Sequence, residues 1–64
     1  MNQTQMHELA RGAIECHLGD VADEGDSLYD NAFVLAHDAL LDAGVEPKEA
    51  TRIASYEAQL IAQP

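Results

Sequence analysis

Apolar residues recur along this chain at helical spacing, and no stretch alternates with the two-residue period of a strand. The first periodic segment predicts a helix from about Gln5 to Leu18, capped by Thr4 and stopped at Gly19. At 3.6 residues per turn its apolar stripe holds Met6, Leu9, Ala10, Ala13, Ile14, Cys16 and His17, with His7, Glu8, Arg11, Gly12 and Glu15 opposite. Gly19 to Asp26 reads as a polar loop relieved by Val21 and Ala22. A second helix is predicted from about Ser27 to Ala43, capped by Asp26 or Ser27, with Asp30 complementing the helix dipole and Gly44 as a left-handed stop. Its apolar arc contains Leu28, Tyr29, Ala32, Phe33, Leu35, Ala36, Ala39, Leu40 and Ala43. The third helix starts at Pro47, a favoured first-turn residue, and runs to about Ala62. Ala50, Ile53, Ala54, Tyr56, Leu60 and Ile61 form its stripe.

Only Gly44 to Glu46 separates the second and third helices, which calls for a helical hairpin or a sharp corner. The expected fold is therefore all-α: one domain over residues 1–64, a small three-helix bundle with a helix-turn-helix-like corner between helices two and three. Composition thins the picture of its core. The hydrophobic fraction is 47%, but eleven of those residues are alanine, which favours helix and close approach yet buries little surface. A chain this short buries only about 60% of its unfolded surface. Cys16 is the single cysteine, so no disulfide can staple the chain to itself, and a partner or a second copy is the expected source of further burial.

That lone cysteine fits a reducing compartment. Met1 to Leu9 carry no basic cluster followed by an apolar run, and no apolar run approaches the roughly 20 residues of a membrane span. The expected location is the cytoplasm, away from membranes.

Charge changes the picture most. Twelve acids against three bases give a formal −9. Glu15, Asp20, Asp23, Glu24, Asp26, Asp30, Asp38, Asp42 and Glu46 all lie between Gly12 and Pro47, where there is no lysine or arginine. Outside that stretch Glu8, Glu49 and Glu57 balance Arg11, Lys48 and Arg52. Such a field keeps a small protein soluble, repels phosphates and steers towards basic surfaces.

Several candidate chemistries fail on spacing. A calcium loop begun at Asp20 would put Ala22 and Asn31 at its third and twelfth positions, where an oxygen ligand and a bidentate Glu are needed. Cys16 and His17 are adjacent on a helix and diverge by about 100°, while His7 and His37 sit elsewhere, so no zinc set is expected. No cofactor is implied, and no nucleophile, base and oxyanion site assemble into an enzyme. Two anomalies remain. His17 and Glu57 interrupt apolar stripes, so each needs a partner: each other, or Arg11 or Arg52 for Glu57, unless Glu57 faces another subunit. Val34 and Leu41 lie on the polar side of helix two among Asp30, His37 and Asp38, either as a second core face or as apolar anchors with a charged rim.

Ala39, Gly44-Val45, Ala50 and Ile53 together resemble a DNA-binding helix-turn-helix over about twenty residues. The resemblance implies DNA contacts from Lys48, Thr51, Arg52, Ser55 and Gln59, and the net charge opposes them. In size and charge the chain is similar to small phage-borne inhibitors, including anti-CRISPR proteins. The leading expectation is a small acidic interaction module that binds a basic surface of a macromolecular partner, in its sharpest form a nucleic-acid mimic inhibiting a nucleic-acid-binding protein. The expected contact residues are Asp20, Asp23, Glu24, Asp26, Asp30, Val34, His37, Asp38, Leu41 and Asp42. The alternatives are a structural homo-oligomer, as small as a homodimer, and a helix-turn-helix regulator.

Overall fold

The computed structural model describes residues 1–21 and 28–62, with side chains described for 1–17 and 28–62. Three helices, α1 (Gln3–Val21), α2 (Leu28–Asp42) and α3 (Pro47–Ala62), pack as a small bundle, with no strand among the described residues. None of these helices is long and apolar enough to cross a membrane.

α1 begins two residues before the predicted start. Asn2, not Thr4, caps it: Asn2 Oδ1 accepts the Gln5 backbone N–H at 2.8 Å and Gln5 Oε1 accepts that of Asn2 at 2.9 Å. This reciprocal capping box satisfies two N–H groups at once, an advantage that Thr4 has no matching acid or amide to supply. At the other end α1 continues through Gly19 to Val21. An interior glycine costs only about 0.5–1 kcal/mol relative to alanine, so it does not by itself end a helix. The predicted caps of α2, Asp26 and Ser27, lie outside the described residues.

α2 ends as predicted. Gly44 has φ +91°, its N–H reaches the Leu41 carbonyl at 3.0 Å, and the Val45 N–H reaches that of Leu40 at 3.0 Å. This is a Schellman closure, and Val45 packs on the core beside it. The Glu46 carbonyl then accepts the Ala50 N–H at 2.8 Å, opening α3 with Pro47 in its first turn. Gly44 and Gly12 should respond oppositely to alanine. At Gly44 a Cβ meets no atom within 4 Å, yet the positive φ makes Gly44→Ala destabilising by about 1–2 kcal/mol. Gly12 lies exposed within α1 with equal space around it, and Gly12→Ala is expected to add about 0.5–1 kcal/mol. Urea unfolding of both variants checks the pair of signs.

The core follows a narrower line than the predicted stripes. Met6, Ala10 and Ile14 of α1, Ala32, Ala36 and Leu40 of α2, and Ala50, Ile53, Ala54 and Ala58 of α3 are buried. Six of these ten are alanines, so the helices approach closely around four larger side chains. α2 packs against both neighbours, and the α1–α3 seam is the thinnest. Six residues of the predicted stripes are exposed instead: Cys16 and His17 on α1, Leu28 and Ala43 of the α2 arc, and Tyr56 and Leu60 on α3. The buried α3 row steps through 50, 53–54 and 57–58, which places Glu57 in the core and turns Tyr56 and Leu60 to its edge.

Candidate functional site

α2 presents the acidic, apolar face singled out by its sequence. Val34 is 56% exposed and Leu41 38%, and neither belongs to the buried row of Ala32, Ala36 and Leu40. Seven residues apart, they stand two turns from each other on one side of the helix. Asp30, Asp38 and Asp42 are exposed around them. The choice left open by the sequence is thereby decided: these two side chains are surface residues, not a second core face.

His37 is placed differently. It is half-buried at the α2–α3 seam, stacked on Phe33 with ring centroids 5.3 Å apart and 14° between planes. The Thr51 hydroxyl donates to the Pro47 carbonyl at 2.9 Å, so it accepts from Nε2–H of His37 at 3.2 Å. Tyr29 Oη and Ser55 Oγ bond at 2.8 Å further along the same seam. His37 thus joins α2 to α3 and is half-buried. Of the remaining expected contact residues, Asp23, Glu24 and Asp26 lie outside the described residues. Asp20 is placed only as part of the α1 backbone.

The acidic face extends into a groove between α1 and α2. Ala13, His17, Leu35, Ala39 and Leu41 line it with Asp38 and Asp42. Of the partners open to Glu57, His17 does not reach it, and Arg52 is held by Glu49.

Glu57 meets Arg11, one of the partners its sequence offered, and His7, which the sequence did not single out. The Glu57 side chain is 1% exposed; Oε2 accepts from His7 Nδ1 at 2.7 Å and Oε1 from Arg11 Nε at 3.2 Å. A carboxylate can only accept, so Nδ1 carries the imidazole hydrogen in this contact. The Glu57 bond, then its charge, hold the Arg11 pKa above its ordinary value, and Arg11 stays charged throughout the working range. The His7 ring also meets Tyr56 edge-on at 5.1 Å. Glu57 is therefore an internal clamp across the thin α1–α3 seam and not a subunit contact. The helical wheel placed His7 and Arg11 on the solvent side. With the core row on Met6, Ala10 and Ile14, both residues follow a core position and flank α3. Their i, i+4 spacing opposite a lone carboxylate in an apolar stripe was the available signal.

Of the α3 residues implicated by the helix-turn-helix resemblance, Lys48, Thr51, Arg52 and Gln59 are exposed, and Ser55 is engaged by Tyr29. Arg52 Nε is held by Glu49 Oε1 at 2.7 Å. That bond lowers the Glu49 carboxyl pKa. Its contribution to stability is present above the ordinary carboxyl range and lost as pH falls through the lowered value, and it is small because both groups face solvent. Among the described residues no group of three His, Cys, Asp or Glu side chains can hold a metal ion. Comparison with protein-family models, curated proteins and solved structures finds no match.

Proposed function

We propose that this chain is a cytoplasmic protein-interaction module whose α2 face binds a basic surface on a macromolecular partner, without catalysis. The observation that carries this reading is the exposure of Val34 and Leu41 opposite the core, ringed by Asp30, Asp38 and Asp42. Apolar anchors exclude water at the centre of a contact, while the carboxylates steer and orient a cationic partner. A like-to-like homodimer across this face would set these aspartates against their own copies, so a partner of opposite charge is favoured. Direct binding to DNA through α3 would have to overcome nine net negative charges.

The sharper version is nucleic-acid mimicry: the α2 carboxylates occupy phosphate sites of a nucleic-acid-binding protein and block it. The immobilised protein should retain its partner at about 0.05 M salt and release it by about 0.5 M as screening grows. Reversal of Asp38 and Asp42 to lysine should abolish retention. Retention that ignores salt and survives both reversals rejects the electrostatic reading. A retained partner that loses nucleic acid as this chain is titrated in supports mimicry.

A further inference from the structure

We propose that the groove between α1 and α2 receives a cationic amphipathic helix of the partner. Its Lys or Arg side chains would meet Asp38 and Asp42, and an apolar side chain would settle between Ala13 and Ala39. This deepens the reading above and rests on it: the earlier reading assigns a charge to the partner, and the groove assigns it a shape.

Three observations point to that occupant. The first is relief. Ala13 on one wall and Ala39 on the other are small, whereas Leu35 and Leu41 stand beside them, so a shallow, open depression with apolar and acidic lining lies between the helices. Leu41 belongs to both this groove and the exposed α2 face, which makes one continuous surface.

The second is charge. Asp38 and Asp42 are four residues apart on α2 and rim the groove one turn from each other. The walls fall within residues 12–47, which hold no lysine or arginine, and His17 is the one basic side chain among the lining residues. An apolar or anionic occupant would strip water from these carboxylates and return nothing. A second copy of this chain carries −9 itself and is repelled. A cationic side chain lays its methylene stem on Leu35 or Leu41 and its charged end on the carboxylate.

The third concerns backbone. Both walls are helices, whose interior N–H and C=O groups are bonded within the helix. They offer no edge to an extended segment, whose own backbone groups would be left unpaired on burial. A helix brings its backbone already satisfied. Its i and i+4 side chains also repeat with the spacing of Asp38 and Asp42.

The test uses the full chain and two synthetic peptides of Lys, Leu and Ala, each of about 14 residues, or roughly 21 Å as a helix. One has its lysines and leucines on opposite faces, and the other is the same composition scrambled. Fluorescence anisotropy should give at least about tenfold tighter binding for the amphipathic peptide, a difference set by shape because the charges are equal. Amide shifts of Ala13, Ala39 and Asp42 should move with it. Ala13→Gln, which fills the groove without changing charge, should reduce the amphipathic peptide to the level of the scrambled one. Circular dichroism checks its fold. If that variant unfolds, exposed Asp42→Lys carries the test and should weaken the amphipathic peptide about tenfold or more. Equal binding of the two peptides, or shifts confined to Val34 and Asp30, overturns the groove and leaves the electrostatic reading standing. Absence of binding by either peptide overturns both.

Discussion

Replacing His7 and Arg11 together by alanine is expected to cost about 3–5 kcal/mol of folding stability, the usual penalty for stranding a buried charge. The cost belongs to Glu57, whose carboxylate is 1% exposed and has one α1 partner on each oxygen. Without them it stays among Ile53, Ala54 and Ala58 with no donor, and the seam it bridges has the least packing to compensate. A domain of this length is expected to have about 3–10 kcal/mol in total, so the double variant sits at or below its folding threshold. Glu57→Met should behave differently. It removes the buried charge and keeps most of the volume, while His7 and the half-exposed Arg11 turn to water. Its stability should stay within about 1 kcal/mol of the parent. Urea titrations followed by circular dichroism compare the variants. If Glu57→Met unfolds the domain while the double variant stands, Glu57 has a role other than the clamp described.

This clamp marks where the sequence stopped being legible. Helix number, the Gly44 stop and the Pro47 start follow from local chemistry that acts within a few residues, and all could be read from the chain. The exposure of Val34 and Leu41 was legible as an anomaly, because two large apolar residues on an acidic face have no local explanation. The rotation of α1 was not legible. Alanine is a weak marker of the core, and with Ala10 and Ala13 both on the predicted stripe, the true row of Met6, Ala10 and Ile14 could not be told from one centred nearer Ala13 and His17. A turn of a few tens of degrees brings His7 and Arg11 towards α3, and tertiary packing sets it. His17 shares the angular position of the buried row but lies a turn beyond Ile14, where the side chain is exposed. The same ambiguity on α3 moved Tyr56 and Leu60 into the predicted core and left Ala58 out. Alanine-rich helices thus predict their existence better than their facing.

The second large effect is expected at Leu40. It is fully buried, one of four large side chains in the interior, and its carbonyl accepts the Val45 N–H that closes α2. Val45 packs on the core at the same corner. Leu40→Ala removes a side chain from a core in which six of the ten buried apolar residues are alanine, and alanines have no flexible atoms with which to refill the space. The loss is expected at about 3–5 kcal/mol, the upper part of the range for Leu to Ala in cores, because cost rises with the cavity that remains. Leu41→Ala, one residue along, is the internal control. Its side chain faces solvent and borders the groove, so its stability should change by about 0.5 kcal/mol or less. The same control should weaken partner binding, since Leu41 is one of the two anchors proposed for that face. The adjacent leucines therefore separate folding from binding: Leu40→Ala unfolds the domain in urea well before the parent, and Leu41→Ala matches the parent in urea but not in partner retention. If Leu41→Ala proves as destabilising as Leu40→Ala, the outer face of α2 contributes to the core and its assignment as a free interaction surface fails.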